Sequence, residues 1–130
     1  MDRAIPQNCL VGDDNAGNVP YYPDSHSYRP EGKQEVRLRM KLDSVLLAYN
    51  LSKVDWIKVD TGGSEPEVLL GALRTIELYR PKILLGHHIG FRPGVDGMAK
   101  GILAPYDSVF LKSFLNSMII VIYLGAFLAI

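Results

Sequence analysis

The sequence predicts an α/β fold organised around one βαβ crossover, and three observations predict it. Residues 56–59 and 82–85 are short apolar runs of strand type. Between them, the stretch from Glu65 carries Leu69, Leu73 and Ile76 on one helical stripe, with Ala72 beside it. Strand, helix and strand at this spacing imply parallel pairing through a right-handed connection. Upstream, residues 35–42 alternate: Val36, Leu38, Met40 and Leu42 fall on one face and Arg37, Arg39 and Lys41 on the other, as in a half-buried strand.

Each element has a local reason. Residues 8–22 read as two short strands around a turn at Asp14-Asn15-Ala16-Gly17. Residues 23–34, with Pro23, Pro30 and Gly32, read as a polar loop. The basic face of 35–42 is either a phosphate contact or a solvated face, and nearby Glu31 and Glu35 favour the solvated face. Asp43 is a natural N-cap for a short helix through Ala48. Gly62 and Gly63 permit a tight turn with positive φ. Ser64 and Glu67 have capping-box spacing, and Pro66 suits a first helical turn. The helix stops before Pro81.

Beyond the second strand the pattern changes. Residues 89–112 contain Gly90, Pro93, Gly94, Gly97, Gly101 and Pro105, and read as a linker with a short helix at 106–111. No charge follows Lys112, and 113–130 is predicted as an apolar C-terminal helix. Eighteen apolar-rich residues sit at the short edge of a membrane span, and Asn116, Ser117 and Gly125 dilute the signal. Lipid, the protein itself or a second copy are alternative covers for such a segment. The predicted organisation is a domain over 1–88, a linker over 89–112 and the apolar segment 113–130.

Composition narrows the function. A chain of 130 residues, 48% hydrophobic and 22% charged, suits one domain with a modest core. Zero net charge gives no drive toward nucleic acid. The single Cys9 excludes an internal disulfide and a cysteine-rich metal site. The first ten residues show no apolar leader, so a cytoplasmic protein is expected, with membrane association only through 113–130.

Asp60 is the leading candidate for chemistry. It follows a strand at its carboxyl end, where ligands bind in open α/β sheets. A carboxylate there can hold a hydroxyl and take up its proton, or it can fix the glycine turn. Glu65, in the first helical turn, either complements the helix dipole or joins the site. His87 and His88 end the second strand as candidate acceptor-binding residues. Adjacent strand residues point to opposite faces, so they do not chelate one ion, and no metal site is predicted. His26 lies in an aromatic polar loop, most simply an ordinary surface loop.

The stretch from Ile57 resembles the FkbM-type methyltransferases, whose pattern is roughly Ile-Lys-Ile-Asp-Val-Glu-Gly-x-Glu followed by a Leu-x-Gly-Ala helix. Ile57, Lys58, Asp60, Gly63, Glu65, Leu70, Gly71 and Ala72 match in order. Leu42–Leu46 is similar to the family's Leu-Asp helix start, Val11–Val19 to its acidic hairpin and 80–85 to its Lys-Pro strand. The resemblance covers roughly residues 8–88. It implies a Rossmann-like fold and methyl transfer from S-adenosylmethionine to a hydroxyl of a sugar or natural product. It implies Asp60 and Glu65 as catalytic residues and a small-molecule or glycan acceptor as partner. Two departures stand out. No glycine-rich cofactor loop occurs in residues 1–10, and Gly62 stands where the family carries a glutamate. The resemblance therefore implies a partial sheet lacking the first cofactor-binding strands, with no cofactor-binding residue assigned. Two other readings stay open, a non-catalytic remnant and a small membrane-anchored protein.

Overall fold

The computed structural model describes residues 3–23, 31–86, 92–112 and 118–123. It is a mixed α/β structure with two sheets. Strands β1 (Leu10–Gly12), β2 (Gly17–Tyr21) and β3 (Glu35–Lys41) form the first, in the order β1-β3-β2. Strands β4 (Trp56–Val59), β5 (Lys82–Gly86), β6 (Ser108–Lys112) and β7 (Met118–Tyr123) form the second, in the order β4-β5-β7-β6. The helices are α1 (Leu42–Leu47), α2 (Glu65–Leu70), α3 (Leu73–Tyr79) and α4 (Val95–Leu103), followed by a 3-10 turn, Ala104–Tyr106.

The parallel pairing that the sequence predicts forms. β4 and β5 pair in parallel, Ile57 against Ile83 and Val59 against Leu85, with α2 and α3 between them in the chain. β7 then pairs antiparallel with β5, placing Ile119 beside Leu85 and Val121 beside Ile83. These side chains share one face of the sheet and are buried, Ile57 partly so, with Val68, Leu69, Ala72, Ile76, Ala99 and Leu103 packed into the same cluster. This is the core, and burial of such side chains is worth about 1.5–3 kcal/mol each before entropy is counted.

Five sequence expectations need correction. The apolar stretch 113–130 is not a helix where it is described: Met118–Tyr123 is a strand inside the second sheet. Its β-branched run Ile-Ile-Val-Ile suits a pleated, two-sided packed strand, and ladder bonds to β5 and β6 satisfy its backbone. Residues 113–117 and 124–130 lie outside the described residues. Among the described residues no helix is long and apolar enough to cross a membrane. The region read as a linker contains α4 and β6, with a strand where a helix was expected at 106–111.

The third correction is to the turn at 14–17. β1 and β2 do not form a hairpin, because β3 lies between them, parallel to β1 and antiparallel to β2. The connection is pinned across the end of β3. Asn15 Oδ1 accepts a hydrogen bond from the Lys41 amide at 3.0 Å, and Arg39 donates to both oxygens of Asp14 at 2.7 and 2.9 Å.

Fourth, the face expected to be buried on β3 is open at its start: Val36 is 57% and Leu38 42% exposed, whereas Met40 and Leu42 on that face are half-buried, as are Arg37 and Arg39 on the other. Both arginines are held by carboxylates, Arg37 by Glu35 at 2.6 Å and Arg39 by Asp14. Those pairs make it cheap to turn the basic face inward.

Fifth, the long helix breaks at Gly71-Ala72 into α2 and α3, and Leu73 is only half-buried. Asp43 does not cap α1, whose N-cap is Lys41. Its carboxylate instead caps α3, accepting from Arg74 N at 3.0 Å, Thr75 N at 2.9 Å and Thr75 Oγ1 at 2.7 Å. Gly71 makes this junction possible. A Cβ there would lie 2.0 Å from the Gly12 carbonyl oxygen, and the Gly71 carbonyl accepts from the Asp43 amide at 2.9 Å. Chain contact this close requires glycine.

Candidate active site

The site is built around the turn that joins β4 to α2. β4 ends at Val59, and Asp60 leaves its carboxyl end exposed. The chain then reverses through Gly62 and Gly63, at φ +71° and +120°, conformations that favour glycine. Glu65 closes the turn from within. It is 1% exposed, its Oε1 accepts from Thr61 N at 2.9 Å and its Oε2 from Gly63 N at 3.0 Å. A carboxylate this deeply buried is tolerable because it is hydrogen-bonded on both oxygens. Its geometry is that of a clamp on the turn.

The capping box expected between Ser64 and Glu67 does not form. Ser64 makes no side-chain cap, and Glu67 turns to Arg92. Arg92 Nη1 donates to Glu67 Oε1 and Oε2 at 2.8 and 2.7 Å and to the Gly63 carbonyl at 3.0 Å. Arg92 thus ties the segment before α4 to the glycine turn. Sequence reasoning missed it, since no local pattern marks a contact across 25 residues.

Asp60 faces a cleft of about 500 Å³ between this turn and the first sheet. Cys9, Tyr21, Tyr22, Arg39 and Glu67 are among its walls. The Arg39 side chain that enters it is neutralised by Asp14, whose carboxyl is held below the usual range chiefly by its hydrogen bond from Arg39. Tyr21 carries Arg37 over its ring at 5.5 Å, which fixes one aromatic wall. The structure therefore brings Asp60 to a cleft mouth and places Glu65 behind it as support. His87, His88 and His26 lie outside the described residues. Among the described residues no group of three His, Cys, Asp or Glu gathers in metal-binding geometry.

A family model described as the methyltransferase FkbM domain matches residues 8–115. The chain belongs to the FkbM methyltransferase domain family. The match reaches well past residue 88, so α4 and β6 are part of the family domain, not a linker after it. The fold agrees. This FkbM domain is similar to the crystal structure of methyltransferase FkbM from Methylobacillus flagellatus KT, with a TM-score of 0.55 and 19% identity. The similarity covers 88% of this chain and 27% of that one, so the chain spans about a quarter of that protein's length. No curated protein matches the sequence.

The family implies S-adenosylmethionine, and the described residues can be tested against it. A cradle for that cofactor needs backbone amides and glycine close approach after a strand. The glycine turn after β4 does not offer them: its Thr61 and Gly63 amides are already taken by Glu65. The described residues do not fit a complete cofactor site.

Proposed function

We propose that this FkbM domain forms the acceptor-binding side of a Rossmann-like, S-adenosylmethionine-dependent O-methyltransferase acting on a hydroxyl of a sugar or natural product. The observation that supports the reading most is Asp60, set at a strand's carboxyl end over a cleft inside the family-matched region. In this reading the Asp60 carboxylate accepts a hydrogen bond from the acceptor hydroxyl and holds its oxygen in one orientation. As the oxygen becomes a nucleophile, the same carboxylate takes up its proton. Glu65 positions Asp60 by clamping the turn, and Tyr21 and Tyr22 offer flat apolar faces to the carbon side of the acceptor. His87 and His88, next after β5 in the chain, are proposed as further acceptor contacts. Because the turn amides are occupied, this chain alone is expected to bind the cofactor more weakly than about 10 μM.

A second reading, a non-catalytic remnant, draws support from the same occupied turn and from Gly62 in place of an acid. It predicts no acceptor recognition. Saturation-transfer NMR with methyl glycosides separates the two. The proposed function expects signal from the wild-type chain and its loss in Asp60→Asn, with the melting temperature unchanged. Equal signal in both refutes the role of Asp60, and no signal in either favours the remnant. Calorimetry with S-adenosylmethionine checks the cofactor statement separately.

A further inference from the structure

The groove between α1 and α3 shares no lining residue with the Asp60 cleft. It is a cavity of about 360 Å³, and Leu47, Leu51, Leu78, Lys41 and Arg74 are among its walls. The three leucines are 74%, 41% and 61% exposed. Single surface leucines are ordinary, but three around one concavity make an apolar patch. The rim is basic. Lys41 and Arg74 form no ion pair with any described residue, and Asp43, the acid in the lining, is spent on the cap of α3. We infer that this groove docks an acidic amphipathic helix of another protein, with apolar side chains seated among the leucines and carboxylates on Lys41 and Arg74.

Shape and charge select that occupant. A concave slot between two helices fits the convex ridge of a third. A second copy presenting the same groove would set basic rim against basic rim, which opposes symmetric pairing. A bilayer is too flat to fill a slot between helices, and two cations give anionic lipid little hold.

The test uses the full chain and a fluorescein-labelled synthetic peptide of about four helical turns. The peptide has leucines at i, i+3, i+4 and i+7 and glutamates on its flanks. Fluorescence anisotropy is expected to show saturable binding that weakens with added salt. Leu78→Ser and Arg74→Glu are each expected to weaken it by at least about tenfold. Both side chains are exposed, so circular dichroism melts of the variants should match the wild type. A control peptide with lysines for glutamates is expected not to bind. Absence of binding by the acidic peptide overturns the inference, as does binding that neither substitution weakens. Concentration-dependent dimers lost in Arg74→Glu would assign the groove to a second copy instead. Co-sedimentation with phosphatidylcholine–phosphatidylglycerol vesicles, lost in the same variants, would assign it to a membrane.

Discussion

Replacing Gly71 by alanine tests the central packing joint of the fold. In a free helix the change would be favourable, since alanine is better than glycine by about 1 kcal/mol. Gly71 has φ −77° and ψ −4°, so the backbone accepts a side chain without strain. Space decides the sign. The new methyl would meet the Gly12 carbonyl oxygen at 2.0 Å, Gly12 C at 3.1 Å and Lys41 Cα at 3.3 Å. All three are backbone atoms of β1 and β3, so none can swing aside. Relief needs the end of α2 to move off the first sheet by more than about 1 Å, because carbon–oxygen contact requires over about 3 Å. That movement also loosens the hydrogen bond from Asp43 N to Gly71 O. Overpacking of this kind costs about 1–3 kcal/mol, and the weakened hydrogen bond about 1 kcal/mol more.

The expected net destabilisation is therefore about 1–3 kcal/mol after the propensity gain. For a chain of this size that is roughly a 4–11 °C fall in Tm. Thermal unfolding followed by circular dichroism reads it directly, with urea unfolding to check that the m-value is unchanged. A Tm equal to or above the wild type would refute the close approach. It would also remove the physical reason for glycine in the Leu-x-Gly-Ala stretch.

Three further outcomes follow from the packing. Asp43→Ala removes the three hydrogen bonds that cap α3 and should cost about 2 kcal/mol in urea unfolding. Ile76→Ala should cost about 3–4 kcal/mol because Ile76 is fully buried, while Leu73→Ala at its half-buried position should cost clearly less; equal effects in unfolding would contradict the broken helix. Asp14 has a depressed carboxyl pKa in the folded chain, so its pairing with Arg39 stabilises above the ordinary carboxylate range and is lost as pH falls through the lower folded value. Asp14→Asn should therefore flatten the acid limb of the stability–pH curve below about pH 4 and leave its alkaline limb unchanged.

The crossover was legible because its signals are local. Two apolar runs, a glycine pair and a helical stripe each declare themselves within a few residues. What the sequence hid depends on distance. Asp43 has the chemistry of an N-cap, and it is one, but for a helix thirty residues on. Glu65 and Glu67 both look like first-turn acids, yet one closes the preceding turn and the other pairs with Arg92. The apolar run 118–123 was misread because a short continuous apolar stretch carries no period, leaving strand and helix indistinguishable by pattern. Its β-branched content was the usable clue. On β3 the alternation holds, but Val36 and Leu38 stay open while Arg37 and Arg39, neutralised by ion pairs, are half-buried; Met40 and Leu42 fall as the pattern predicts.

The same contacts explain how Asp60, the proposed site residue, can be held at the end of an edge strand. β4 has a ladder partner on one side, β5, so among the described residues the sheet steadies Asp60 from one edge alone. Edge positions fray more readily than central ones. The rigidity that orientation of an acceptor needs must come from the turn that follows. There Glu65 locks two amides, and Arg92 locks the Gly63 carbonyl while pairing with Glu67 on the first turn of α2. The turn is thus braced from inside by a buried carboxylate and from outside by a guanidinium anchored through α4. Arg92 lies three residues before α4, inside the family match over 8–115, so the segment leading into that helix is tied directly to the turn that follows Asp60.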